Sequence, residues 1–142
     1  MLIGTILQTK GSEVETVHPR ATVTELLAIL ADRNIGAAVV SEDGSSILGI
    51  VSERDIVRRL HDRGADALNA PVSSIMTTEV RTCSPGVNVD DLRQTMTTHR
   101  IRHVPVVSGD RLIGIVSIGD VIKSAIETLE TERAHLVDYL HR

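Results

Sequence analysis

The chain contains no phenylalanine, no tryptophan and a single tyrosine among 142 residues. Platforms for single-stranded nucleic acid stack bases on Phe, Tyr or Trp, so that class is excluded at the outset. One cysteine, Cys83, cannot close an intrachain disulfide, which suits a reducing cytoplasm. No apolar run approaches the ~20 residues that span a bilayer. Met1–Lys10 has neither the basic leader nor the long apolar stretch of a signal peptide. Positive charge is not in excess either. Fifteen Lys and Arg against 19 Asp and Glu leave a net charge of −4, so no general attraction to nucleic acid or an anionic membrane is expected. What remains is aliphatic: 42% of residues are hydrophobic, ample for a core of Val, Ile, Leu and Ala and too rich for a disordered chain. The expectation is a soluble cytoplasmic protein of one compact domain, or two small lobes sharing a core.

The chain repeats itself. Displaced by 66 positions, residues 13–40 lie over 79–106 with identities at Glu13/Glu79, Val14/Val80, Thr16/Thr82, Pro19/Pro85, Val23/Val89, Leu26/Leu92, Ile35/Ile101 and Val40/Val106. Displaced by 65, Gly49-Ile50-Val51-Ser52-Glu53-Arg54-Asp55 lies over Gly114-Ile115-Val116-Ser117-Ile118-Gly119-Asp120. Matched Pro, Gly, Ser and Asp in colinear order point to a tandem duplication.

Each unit carries the same punctuation. A short β-rich run (Val14–Val17, Val80–Cys83) ends before Pro19 or Pro85. Thr22-Val-Thr-Glu25 then has the capping-box pattern, with Asn88-Val-Asp-Asp91 its weaker counterpart. Apolar residues at helical spacing follow (Val23, Leu26, Leu27, Leu30; Val89, Leu92, Met96). The runs Ala37–Val40 and Val104–Val107 read as buried strands, and turn residues separate them from second strands at Ile47–Val51 and Leu112–Val116. A helix follows each time, so the fold class is α/β (α+β), two β-α-β-β-α repeats.

A lone unit of ~60 residues buries only about 60% of its unfolded surface and leaves one face of its sheet open. Packing the two copies face to face about a pseudo-twofold axis removes both problems and creates a cleft between them. The organisation read from the chain is a helical lead-in (1–12), a first repeat (13–62), a linker (63–78), a second repeat (79–128) and a C-terminal helical extension (129–142).

Gly-Ile-Val-Ser-x-x-Asp after a strand, present twice at the matching place, resembles the CBS-domain family, the cystathionine-β-synthase-type module, in its stand-alone tandem form. The resemblance covers nearly the whole chain. It implies a regulatory module that binds an adenosine-containing ligand between paired repeats: AMP foremost, with ADP, ATP, NAD or S-adenosylmethionine as rivals. The family's ribose-binding Asp and its Ser or Thr partner fall on Asp55 and Ser52, and on Asp120 and Ser117. An Asp carboxylate can accept from both vicinal hydroxyls, and a Ser at a helix start lies beside free backbone N–H groups that suit phosphate. The resemblance further implies phosphate contacts from Arg102 and His103 in one site and Arg54 in the other, close backbone approach at Gly36 and Ala37, and adenine or ribose contacts at Thr16 and Thr82. Because Gly36-Ala37 stands where the second repeat has Arg102-His103, the two sites are expected to be unequal, the latter favouring multiply charged phosphates.

Plainer readings stand beside these. Ser-x-x-Asp is also a capping box that simply starts a helix, a role compatible with ligand binding. At Asp120, preceded by Ile118-Gly119, ligand binding is preferred; at Asp55 both roles stay open. Arg54 and Arg102 read equally well as solvated surface arginines, and Cys83 as a small residue buried at a strand end. No Gly-x-Gly-x-x-Gly turn, Walker loop, Gly-x-Ser-x-Gly elbow, His-Glu-x-x-His or Cys-x-x-Cys occurs, so the expectation is no enzyme, no metal and no catalytic cofactor.

The segment after Ser117 carries apolar residues at Val121, Ile122, Ala125, Ile126, Leu129, Leu136 and Leu140, with Glu127, Glu130, Glu132 and Arg133 between them. Such a helix is longer than the repeat needs; it either lies on its own module or, as the resemblance implies, makes a homodimer contact. The leading expectation is an adenine-nucleotide sensor that signals to a regulated protein of unknown identity. The alternatives are a constitutive dimeric adaptor and a thioredoxin-linked redox regulator acting through Cys83.

Overall fold

The computed structural model describes residues 1–11 and 13–141. After helix α1 (Ile3–Lys10) the first repeat runs β1 (Thr16–Val17), α2 (Val23–Arg33), β2 (Ala37–Val40), β3 (Gly49–Ser52) and α3 (Glu53–Arg63). Two 3₁₀ helices, Gly64–Asn69 and Val72–Ser74, lead to the second repeat: α4 (Val89–His99), β4 (His103–Ser108), β5 (Arg111–Ser117) and α5 (Ile118–Leu140). No helix among the described residues is long and apolar enough to cross a membrane.

The first sheet has the order β1-β2-β3, parallel between β1 and β2 and antiparallel between β2 and β3. The second is an antiparallel β4-β5 pair with a register shift at Val106/Val107. The expected strand Val80–Cys83 is reduced to one parallel bridge, Cys83 to Val106, although its register copies that of Val17 with Val40 at the 66-residue displacement. The cause is Pro105. Val39, its counterpart, donates its N–H to the Glu15 carbonyl at 3.4 Å, whereas proline has no N–H to give.

The helices start and stop as their sequences dictate. Thr22 and Glu25 close the expected capping box on α2, and Asn88 caps α4 by accepting from the Asp90 N–H at 2.8 Å. Both helices end in a left-handed residue with φ of 53°, Asn34 and Arg100. Asparagine visits that region readily and arginine does not, so Arg100 holds a locally unfavourable backbone.

The two cores are closed by exchanged segments. Ile3, Ile6 and Leu7 of α1 are buried in the second repeat, among Val89, Leu92, Met96, Val104, Val106, Val116 and Val121. Val72 and Ile75, from the stretch expected to be linker, are buried in the first repeat with Val17, Val23, Leu26, Leu30, Val40, Val51 and Ile56. Three backbone hydrogen bonds dock each segment. Ile3 N–H donates to Val87 O, Gly4 N–H to Pro85 O and Val89 N–H to Met1 O, each at 2.9 Å. Val72 N–H to Ala21 O (2.7 Å), Ser73 N–H to Pro19 O (3.0 Å) and Val23 N–H to Ala70 O (3.0 Å) are their counterparts.

This exchange explains the glycine of the repeated Gly-Ile-Val-Ser. A Cβ on Gly49 would lie 2.7 Å from Met76 Sδ and 2.8 Å from the Thr77 carbonyl oxygen; on Gly114 it would lie 2.6 Å from Leu7 Cδ2. The first clash involves backbone that bridges to Ile50, the second the rotatable end of a leucine. Gly49→Ala is therefore expected to lower stability by about 1–3 kcal/mol and Gly114→Ala by less. Urea unfolding of both variants checks this, and no loss in Gly49→Ala would contradict it.

Candidate functional site

Each strand-to-helix junction places a Ser and an Asp side by side. At the start of α3, Ser52 Oγ accepts from the Asp55 N–H (3.4 Å), while Asp55 Oδ2 accepts from the Ser52 N–H (2.9 Å) and hydroxyl (3.1 Å). At the start of α5, Ser117 and Asp120 repeat this at 3.2, 2.8 and 3.0 Å. Both motifs thus form capping boxes.

The junctions differ in what approaches them. Lys10, from the last turn of α1, places Nζ 2.6 Å from Asp120 Oδ2 and also donates to the Ile115 carbonyl at 2.7 Å. Partial burial raises the Asp120 pKa, but hydrogen bonds from Lys10 and Ser117, with the charge of Lys10, outweigh it and hold the carboxyl below its ordinary value. Among the described residues Asp55 has no ion pair.

His103 opens β4, half-buried, with its ring against the first repeat: a Cβ on Gly36 would sit 3.4 Å from its Cε1. Burial first, then Lys10 and Arg102, lower its pKa against the opposing pull of Glu53 and Asp120, so the ring is neutral near pH 7. Ala37 is buried and pairs with Ser52 across β2 and β3. Thr16 is half-buried in β1 and Thr82 is exposed.

One cleft crosses the repeats. A hollow of about 390 Å³ is lined by Arg54 from the first repeat and by Met96, Thr97, Arg100, Ile101, Arg102 and Ile118 from the second. Three arginines therefore line the hollow beside Met96, Ile101 and Ile118, and among the described residues none is in an ion pair. Arg54 and Arg102 were expected near phosphate; Arg100 was not singled out. Its signal was its alignment with Asn34, a helix-ending position where arginine is unusual. The capping Ser and Asp residues do not line this hollow. Asp120 instead lines a smaller one of about 190 Å³ between α1 and α5, with Lys10, Lys123, Ser124 and Glu127.

Cys83 is half-buried, and desolvation pushes its thiol up to about 11. Thiolate is then scarce at neutral pH, which weakens the redox reading that would rest on this residue. No group of three His, Cys, Asp or Glu among the described residues could hold a metal ion.

Comparison with known proteins agrees with this architecture. A family model described as CBS domain matches residues 6–62 and again 72–127. The chain is similar to the CBS domain-containing protein YhcV of Bacillus subtilis, 33% identical over 132 residues that cover 93% of this chain and 91% of the relative. The crystal structure of the CBS-domain containing protein ATU1752 from Agrobacterium tumefaciens matches with a TM-score of 0.85 at 40% identity, covering 88% of this chain and 99% of that one. Two similar structures hold ligands. CBS domain protein PAE2072 from Pyrobaculum aerophilum is complexed with AMP (TM-score 0.75, 28% identity, 84% of this chain and 89% of that one). The CBS domain pair of protein MJ0100 is in complex with 5′-methylthioadenosine and S-adenosyl-L-methionine (TM-score 0.80, 26% identity, 90% and 98%).

Two outcomes follow from the charges. A carboxyl whose pKa is depressed on folding contributes stability above its unfolded value near ~4, lost as pH falls through the folded value. Lys10→Met removes the cation that depresses Asp120. The variant should therefore lose less stability than wild type between about pH 5 and pH 3, read from urea midpoints; equal slopes would contradict the assignment. Iodoacetamide should alkylate native Cys83 at pH 8 at least about a hundredfold more slowly than the unfolded chain. Equal rates would show an activated or exposed thiol.

Proposed function

The chain belongs to the CBS-domain family, and from that premise we propose a non-catalytic regulatory module that takes an adenosine-containing ligand into the cleft between its repeats. The observation that carries the reading is one hollow lined by Arg54, Arg100 and Arg102, contributed by both repeats and in no ion pair among the described residues, together with Met96, Ile101 and Ile118. Guanidiniums offer forked donors to phosphate, and with no Phe or Trp in the chain an adenine must lie against aliphatic side chains and backbone. AMP is the first candidate, with ADP, ATP and NAD behind it, in keeping with a relative that holds AMP. Asp55 is the freer carboxylate for ribose hydroxyls, with Ser52 beside it, because Lys10 already occupies Asp120. Ligand at Asp120 and Ser117 would have to displace that ammonium.

A ligand held by Arg54 on one side and Arg100 and Arg102 on the other couples the positions of the two repeats. It shifts their relative orientation by the difference in its affinity for each arrangement. A regulated protein reading that shift completes the function, in a cytoplasmic setting.

Titration calorimetry with AMP, ADP, ATP, NAD and S-adenosylmethionine tests the proposal. Binding of at least one below millimolar concentration is expected, and no binding by any would overturn it. Arg102→Ala should weaken a phosphate-bearing ligand about 10- to 100-fold, the span of one charge-assisted hydrogen bond, and leave adenosine affinity unchanged. Equal losses for both would place the phosphate elsewhere.

A further inference from the structure

Between β2 and β3 the chain reads Ser41-Glu42-Asp43-Gly44-Ser45-Ser46, small donors around one carboxylate. Such residues tie a turn together through their own side chains. Asp43 Oδ1 accepts from the N–H groups of Ser45 (2.9 Å) and Ser46 (2.8 Å). It also accepts from the hydroxyls of Ser41 (3.2 Å), Ser45 (3.3 Å) and Ser46 (2.9 Å). Ser41, itself buried, accepts from the Gly44 N–H at 2.9 Å. The donors of Ser46 and Ser45 hold the Asp43 carboxyl well below the ordinary carboxylate range, so the acceptor stays ionised. One exposed side chain thus fixes the path of the loop.

That path ends on the other repeat. The Ser45 carbonyl accepts from the Leu112 N–H at 2.9 Å, and among the described residues this is the one backbone hydrogen bond between residues 13–63 and residues 79–141. The second repeat's tighter turn, Ser108 to Arg111, returns none. The bond lies at the starts of β3 and β5, whereas Ser52 and Ser117 end those strands, beside Arg54 and Arg102. From Leu112 to Ser117 the strand covers about 17 Å.

We propose that Asp43 is a positioning residue: by shaping the Ser41–Ser46 loop it pins the first repeat to β5 at the end remote from the cleft, the fixed end about which the repeats turn when the cleft is loaded. The pinning needs no ligand; its use as a pivot rests on the cleft's taking an adenosine-containing ligand. With one end fixed, closure of the other selects a single orientation.

Hydrogen exchange and distance measurements on the full chain test it. Asp43 is exposed, so Asp43→Ala should leave the far-ultraviolet circular dichroism unchanged. Without ligand, its Leu112 amide should exchange at least about tenfold faster than in wild type, while Val104 and Val116 within the β4-β5 pair keep their rates. Asp43→Asn keeps an acceptor oxygen and should restore most of that protection. A role confined to the loop would move nothing further, so spin labels report on the repeats themselves. They are placed at Asp32→Cys and Thr98→Cys, matched exposed positions on α2 and α4, in a Cys83→Ser background. Their distance distribution should be narrow with Asp43 and broad in Asp43→Ala, and AMP should move the narrow one to a new single distance. Unchanged Leu112 exchange or an unchanged width in Asp43→Ala would overturn the pinning. AMP bound in the calorimeter with no change of distance would overturn the pivot; no binding would overturn the cleft reading and the pivot with it, while exchange and width still decide the pinning.

Discussion

Each repeat is too small to cover its own sheet, and the segment that covers it comes from in front of the other repeat. Helix α1 closes the second core with Ile3, Ile6 and Leu7, and the stretch around Val72 and Ile75 closes the first. Separating the repeats would open both cores at once, so the burial that makes ~60-residue units viable is the same burial that holds the pair together. The close approach at Gly49 and Gly114 follows from this exchange. So does the position of the cleft, which exists only because the repeats cannot drift apart.

The duplication sets an approximate twofold, and individual side chains then break it. Lys10 reaches Asp120, while no cation pairs with Asp55 among the described residues. Gly36 stands where the second repeat has Arg102, and that glycine leaves room for His103 to lean across from the other repeat. Pro105 removes one donor and with it most of a strand. The consequence is an asymmetric charge map: cations gather on the hollow shared by Arg54, Arg100 and Arg102, and the opposite junction is already self-neutralised. One face of the pair thereby gathers three arginines, and the other is internally paired through Lys10 and Asp120.

Much of the fold was legible along the chain because it rests on local rules. Thr22-x-x-Glu25, Ser52-x-x-Asp55 and Ser117-x-x-Asp120 are capping boxes because three residues separate a helix's cap from the N–H it satisfies. The strands at Ala37–Val40 and Gly49–Ser52 followed from short apolar runs and turn residues. The second repeat's first strand misled, because its apolar run implied pairing and the loss of pairing came from a proline more than twenty residues away.

The sequence by itself determined the duplication, the order of elements and the residue types available to a ligand: Asp, Ser and Arg, with no aromatic face beyond Tyr139. Those are properties of spacing and composition, and a chain carries them before it folds. Only the tertiary structure decided that the lead-in serves the second core, that Lys10 claims Asp120, and that Arg100 joins Arg54 and Arg102. Each is a contact between residues distant along the chain, in the last case an unremarkable arginine turned toward the cleft by a left-handed helix end. Such meetings are set by which surfaces must be buried, and burial is a property of the whole chain.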